Sequence, residues 1–534
     1  MTATAANFAA VATVDPSTLR GWLTDGKGIA VLDVREVGVH TTAGHILLSA
    51  PLPLSQLEMK VASLVPRRST RTVVYDGGHE GLSARAGQKL QELGYADVSM
   101  LAHGAAGWKA AGGELFTGIN VLSKAFGEHI EHAENTPRLT VEEVMRRRDA
   151  GENLVILDSR TLREFQSFSV PGALSAPGPE LVYRFHEVVK DPDTTVIVNC
   201  AGRTRSIIGA QAIINAGVPN KVAALENGTM AWLMAGYKLD TGKSRQPPLP
   251  SGPALEQARA AAVRLTKRFD VRSIDTATLE KFRGESKERA LYVLDVRSPE
   301  EFEAGHLPGA RWAPGGQLVQ ALDEWVATLN ARIVLVDNPD AVRATLTASW
   351  LIQMNVGEIY VLPVSPAAAS EKGPVRQKLA VALPEVTAVD PAAAKTQIDA
   401  GGVTVLDLDA SARYQAGHIP GAVFALRSRL MGDVSRIPGK GPILLTSDDG
   451  ALAAFAAVEL AAATERHVSV VRGGTSAWRA AGLPSEMGVE QLLHPMEDTW
   501  TSPYSHEKEA DRFAAFRTYL GWEIDLLDQI KRDA

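Results

Sequence analysis

Residues 294–297 read Leu-Asp-Val-Arg, and residues 305–310 read Gly-His-Leu-Pro-Gly-Ala. The same two phrases recur along the chain. Ala30-Val31-Leu32-Asp33-Val34-Arg35 is followed by Gly44-His45-Ile46, and Leu157-Asp158-Ser159-Arg160 by Val170-Pro171-Gly172-Ala173. Leu406-Asp407-Leu408-Asp409 is followed by Gly417-His418-Ile419-Pro420-Gly421-Ala422. The Asp positions lie 125, 137 and 112 residues apart. Solenoid repeats have periods of roughly 20–50 residues, so each copy here is a whole domain. A further phrase closes three copies: Gly104-Ala105-Ala106-Gly107-Trp108, Gly228-Thr229-Met230-Ala231-Trp232 and Gly474-Thr475-Ser476-Ala477-Trp478, each running on to Ala-Gly. The third copy reads Tyr360-Val361-Leu362-Pro363 instead and looks degenerate.

Within a copy, strand and helix signals alternate. In the second, Thr140-x-x-Glu143 is a capping box that opens a helix ending near Gly151. Leu154–Leu157, Thr195–Val198 and Val222–Leu225 are short apolar runs, read as buried strands. Ser206–Ala216 has helical spacing and stops at Gly217, and Gly228–Ala235 forms a last short helix. Alternating strands and helices imply an α/β fold with a mainly parallel sheet covered on both faces. The expected architecture is four tandem domains, each a mainly parallel sheet flanked by helices, plus a C-terminal helical tail. The boundaries are 1–118, 119–250, 251–375, 376–486 and, for the tail, 487–534. Linkers fall at Gly242–Pro253 and near Pro363–Pro374. In the tail, Phe513–Ile530 reads as an amphipathic helix with Phe513, Phe516, Leu520, Ile524 and Leu527 on one side, packed back on the domains.

Composition narrows the function. The 534 residues carry 55 Lys plus Arg against 62 Asp plus Glu, a net charge of −7. That balance argues against nucleic acid as a partner, while a local pocket can still be positive. Residues 1–14 lack a basic segment followed by an apolar run, so no signal peptide is expected. No stretch approaches the length of a membrane span, and no membrane partner is expected. The single cysteine, Cys200, excludes a disulfide within the chain and a Cys-rich zinc site. His129 and His132 have i, i+3 spacing without further ligands and are read as a charged helical face, so no metal is expected there; the stretch directly precedes the cysteine-bearing domain and could also help wall its pocket. The expected location is cytoplasmic, where a free thiol stays reduced.

Cys200 stands where chemistry needs it. It follows the apolar run Val196-Ile197-Val198-Asn199 and precedes Ala201-Gly202-Arg203-Thr204-Arg205-Ser206 and a helix. A thiol there lies at the carboxyl end of a parallel strand. Loop N–H groups, the helix N-terminus and two arginines favour a thiolate, and the same features bind an anion. A lone cysteine is commonly an inert core residue, but a core residue needs neither two arginines nor a glycine loop.

The Asp-x-Arg phrase, the Gly-His-Ile-Pro-Gly-Ala phrase, the cysteine loop and the Gly-x-x-x-Trp-x-x-Ala-Gly ending resemble the rhodanese family over nearly the whole chain. The resemblance implies four rhodanese-like domains and a sulfurtransferase in which Cys200 takes a sulfane sulfur as a persulfide. In the related phosphatases five residues separate the cysteine from the arginine. Here four separate Cys200 from Arg205, a smaller cradle that suits sulfur better than phosphate. The loop also departs from the Cys-Gly-Ser-Gly-Val-Thr pattern of mercaptopyruvate sulfurtransferases, which favours thiosulfate or another persulfide donor. A mercaptopyruvate or glutathione-persulfide donor, and a non-catalytic sulfur carrier or scaffold, are the alternatives. Asp76, Asp337 and Ser447 occupy the cysteine position in the first, third and fourth domains, which are therefore expected to be inactive.

The candidate site is Cys200 as the nucleophile, with Ala201, Gly202, Arg203, Thr204, Arg205, Ser206 and Arg160 binding the donor. Arg203 and Arg205 are expected to reach its oxygens through their forked guanidinium groups. Arg160 is expected to pair with Asp158 or Glu164, or to reach the substrate. Asp158 fixes local backbone. Trp232 packs, and so do Trp500, Tyr504 and Trp522 of the tail. His45, His306 and His418 are read as buried, hydrogen-bonded residues, because Ser169 stands in their place in the cysteine-bearing domain. The partners implied are a small anionic sulfur donor and a thiol acceptor, with no cofactor.

Overall fold

The computed structural model describes residues 10–533; the N-terminal reading of residues 1–9 lies outside them. Four sheets are present, and in each the strands follow one spatial order: first, fifth, fourth, second, third along the chain. The second sheet shows this in Arg138–Leu139, Val222–Leu225, Thr195–Asn199, Leu154–Asp158 and Leu174–Ser175, all parallel. Its central strands are fully or largely buried because helices cover both faces, which is why they read as unbroken apolar runs. The capping box forms: Thr140 Oγ1 accepts from the Glu143 amide, and the Glu143 carboxylate accepts from the Thr140 amide. The helix after the cysteine loop spans Thr204–Asn215 and the last short helix Gly228–Met234.

The recurring phrases have a structural cause. Arg35 forks onto Asp33 (2.9 and 2.5 Å) and donates to the Gly44 carbonyl at 2.8 Å. Arg160 does the same to Asp158 (2.9 and 2.8 Å) and the Phe168 carbonyl (2.7 Å). Arg297 binds Asp295 (2.9 and 2.6 Å) and the Gly305 carbonyl (2.8 Å). The Asp-x-Arg clamp therefore ties the strand end to the segment that opens the second phrase. In the fourth unit Asp409 replaces the arginine, and Arg479 reaches the Gly417 carbonyl instead, at 3.0 Å.

That replacement leaves Asp407 buried without a forked partner. Burial, with Asp409 beside it, pushes the Asp407 carboxyl up to about 7. An unfolded aspartate titrates near 3.8, so the folded unit holds its proton more tightly. Stability should therefore fall as pH rises from about 4 to about 7. Asp407→Asn is expected to make that slope shallower, leaving the part that the buried Asp323 and Asp337 (both pushed up to about 6) contribute, and to gain at least about 1 kcal/mol at pH 8, the cost of the buried charge. Calorimetric unfolding across this pH range checks it.

The units are joined by more than linkers. Thr328–Leu329, from within the expected third domain, pairs antiparallel with Ile29–Ala30 at the edge of the first sheet. One continuous core runs from Val196 and Ile213 in the second unit through Ala258 to Leu335 and Trp350 in the third. Helix Gly252–Phe269, which the linker assignment did not anticipate beyond Pro253, supplies its centre. Arg427 forks onto Glu58 (2.8 Å twice), closing the fourth unit on the first. The tail forms one long helix, Glu509–Asp533. Phe516, Leu520, Glu523 and Leu526 are its buried residues, whereas Ile524, expected on the apolar side, is 49% exposed.

Candidate active site

Strand Thr195–Asn199 ends at Cys200, and helix Thr204–Asn215 starts four residues later. Cys200 is 2% exposed, at the floor of a cavity of about 440 Å3. Its thiol donates to Ser206 Oγ at 3.4 Å, and Ser206 Oγ in turn donates to the Arg203 carbonyl at 2.8 Å. Asn199 Nδ2 donates to Asp158 at 2.6 Å, so the Asp158 clamp also fixes the residue preceding the cysteine. Among the described residues, the N–H groups of residues 201–206 have no acceptor in the chain.

The loop is held from the other side by the final short helix. The Cys200 carbonyl accepts from the Thr229 amide at 2.9 Å, and the Ala201 carbonyl from the Met230 amide at 3.1 Å. This close approach requires Gly228, whose φ is +53°; a Cβ there would overlap the Cys200 carbonyl. Gly104 and Gly474 stand in the same relation to Asp76 and Ser447, which explains the glycine that opens each closing phrase. Gly228→Ala is expected to displace the loop and cut turnover at least about tenfold, since small misplacements at a reacting centre are costly. Steady-state rates beside a near-native circular dichroism spectrum test this.

The other loops show what the orphaned amides are shaped for. Asp76 accepts from the Gly78 and Ser83 amides (2.7 and 3.0 Å). Asp337 accepts from those of Asn338 and Ala344 (2.8 and 2.9 Å), and Ser447 Oγ from that of Ala453 (3.2 Å). In those units a side-chain oxygen fills the oxyanion-binding position at the helix N-terminus. At Cys200 no side-chain oxygen takes that place, and residues 200–205 of the loop line the cavity.

Of the three arginines, Arg203 is placed differently from the sequence expectation. Arg203 forks onto Glu128 (2.7 and 2.8 Å) and also meets Glu131; both carboxylates lie on the preceding helix Val121–Glu134. Arg203 thus braces the loop, and its charge is neutralised away from the donor position. Arg160 is 1% exposed and pairs with Asp158, the first of its expected partners, and with the Phe168 carbonyl, while also lining the cavity. Arg205 forks onto Glu164 (2.9 and 2.8 Å) while facing the cavity. Burial alone would lower the Arg205 pKa, but Glu164, and after it the Cys200 sulfur, raise it and keep the guanidinium charged. Thr204 Oγ1 donates to Glu523 at 3.2 Å, and Gly202 lies against Glu523 and Tyr519.

The sequence reading missed several wall residues. Lys124, from helix Val121–Glu134, and Trp500, Tyr504, Tyr519 and Glu523, from the tail, line the cavity. Tyr504 and Trp500 were expected only to pack; Tyr504 donates to the Ala201 carbonyl at 3.1 Å. Lys124 Nζ binds Glu523 at 2.6 Å and the Tyr519 hydroxyl. Burial would discharge Lys124, but Glu523 and Tyr519 outweigh it and raise its pKa. Burial pushes Tyr519 itself up to about 12. Arg163 was also missed; it stands at the rim, and among the described residues no carboxylate is within ion-pair distance of it. The histidine reading holds: His306 and His418 bind the Phe302 and Tyr414 carbonyls at 2.8 Å and stack on those rings. His45 is likewise buried, against His40. His129 and His132 lie on the exposed face of their helix.

A parallel α/β unit with a thiol at its strand end, repeated four times with three thiol-free copies, defines the class. The rhodanese-like domain model matches residues 15–111, 140–235, 277–365 and 390–481, and the chain belongs to the rhodanese family. A crystal structure of thiosulfate sulfurtransferase from Pseudomonas aeruginosa is 45% identical, with a TM-score of 0.93, and 98% of each chain is covered. A curated HTH-type transcriptional regulator of Mycobacterium tuberculosis is 32% identical over 104 residues, 20% of this chain, and the chain spans 45% of that relative's length. Lys124, Trp500, Tyr504, Tyr519 and Glu523 all lie outside the four matched segments. No helix among the described residues is long and apolar enough to cross a membrane.

Proposed function

We propose that the protein is a sulfurtransferase that moves a sulfane sulfur from thiosulfate to a thiol or to cyanide through a Cys200 persulfide. The observation that carries this reading is the set of unpartnered amides of residues 201–206 around a single buried thiol. In the first half-reaction the Cys200 thiolate attacks the outer sulfur of thiosulfate. A new S–S bond forms to Cys200, the S–S bond of the donor breaks, and sulfite leaves with the electron pair. The loop amides and Arg205 stabilise the charge in transit. In the second, an acceptor thiolate takes the outer sulfur and Cys200 departs as thiolate. Asp76, Asp337 and Ser447 cannot carry a sulfane sulfur, so one site per chain turns over. The likeness to a thiosulfate sulfurtransferase over the full length supports this choice of donor. Initial rates with thiosulfate, 3-mercaptopyruvate and glutathione persulfide, each with cyanide as acceptor, test it. Thiosulfate is expected to give the highest kcat/KM, and a clear preference for either other donor would overturn that assignment.

A further inference from the structure

The Cys200 cavity has a neighbour. A second cavity of about 370 Å3 lies between the second and third units, and the two share Thr161, Arg163 and Gln317 in their walls. Its walls include Leu162 and Pro179 on one side, and Pro299 and Trp312 on the other. A volume of this size is at the small end of the range for organic ligands.

We infer that this cleft seats the body of the sulfur acceptor, an organic thiol with an apolar body and an anionic group held by Arg163. The inference rests on the sulfur-transfer reading above. Charge placement selects an anion: Arg160, Arg205 and Lys124 beside Cys200 are each matched by Asp158, Glu164 and Glu523. In the cleft, Arg184 and Arg297 are matched by Glu180 and Asp295. Arg163, exposed at the junction, is the guanidinium left without a carboxylate among the described residues. Glu300 also borders the cleft and is exposed, so the anionic group is placed against Arg163 and away from Glu300.

The cleft is built rather than incidental. The buried Arg343 of the third unit binds Glu180 of the second (3.1 Å) together with Glu301 (2.6 Å) and Asp337 (3.2 Å). Beside the cleft wall at Gly316, Gly178 and Gly316 cross so closely that a Cβ on Gly316 would lie 3.0 Å from the Gly178 Cα. The third unit, which has no thiol, thereby supplies one wall of the acceptor site. With the acceptor seated, its thiolate attacks the outer sulfur of the Cys200 persulfide. The persulfide S–S bond breaks, its electron pair stays on Cys200 Sγ, and the acceptor leaves as its own persulfide carrying the proton of the outer sulfur.

Two variants test the cleft. Gln246→Trp places a neutral ring into it from an exposed position, and Arg163→Gln removes the charge. With thiosulfate as donor, the rate with 4′-mercaptobiphenyl-4-carboxylate relative to that with cyanide is expected to fall at least tenfold in both. An unchanged ratio would overturn the proposal. Calorimetric binding of biphenyl-4-carboxylate, which has no thiol, reads the cleft independently of turnover. Binding to the parent protein that weakens at least tenfold in both variants supports the site. No binding to the parent, or equal binding in all three proteins, overturns it. Failure of the thiosulfate–cyanide reaction in the parent would instead count against the proposed function.

Discussion

Cys200→Ala is expected to reduce thiosulfate–cyanide turnover by at least about 10^3-fold, the scale on which loss of a covalent nucleophile is felt. The thiol has no substitute: it is the one cysteine in the sequence, and the equivalent positions hold Asp76, Asp337 and Ser447. The fold should survive. Cys200 makes one side-chain hydrogen bond, to Ser206, and the backbone bonds that set the loop come from its carbonyl and from Ala201. Removing one sulfur atom from a buried site should cost on the order of 1 kcal/mol. Parallel measurement of turnover and thermal unfolding separates the two effects, and turnover retained in a folded variant would contradict the mechanism.

The second large effect is expected at Glu523. Its side chain and that of Lys124 are 2% and 4% exposed and bind at 2.6 Å. Glu523→Ala leaves a buried ammonium without its partner, a change that typically costs about 3–5 kcal/mol. The double replacement Lys124→Met with Glu523→Leu removes both charges and should recover most of that loss. Turnover should fall in both variants, because Glu523 and Tyr519 lie against Gly202 in the loop. Denaturant unfolding of Lys124→Met, Glu523→Leu and the double variant closes the cycle and measures the coupling. Additive losses would contradict a paired role for the two groups.

Much of this molecule could be read locally. The strands of the second unit lie where apolar runs placed them, because each is covered on both faces and needs no polar alternation. The position of Cys200 at a strand end followed from that alone. The failures share a physical origin in pairings between distant segments. Arg203 looked like a donor-binding residue because its two carboxylates lie more than 70 residues earlier, on a helix read as a solvated charged face. A hydropathy pattern selects Ile524 over Glu523, yet Glu523 is the buried one, because Lys124 arrives from 399 residues away. Tyr504 and Trp500 reach the cavity only because the tail folds back over the second unit. One signal was available for the brace: Glu128 and Glu131 have i, i+3 spacing, which puts two carboxylates on one helical face to receive a single guanidinium.

Intact mass after incubation with thiosulfate and removal of excess reagent tests the central claim most directly. A gain of about 32 Da, one sulfur atom, is expected, lost again on addition of cyanide or a thiol and absent in Cys200→Ala. An unchanged mass in the parent protein, or the same gain in Cys200→Ala, would contradict it.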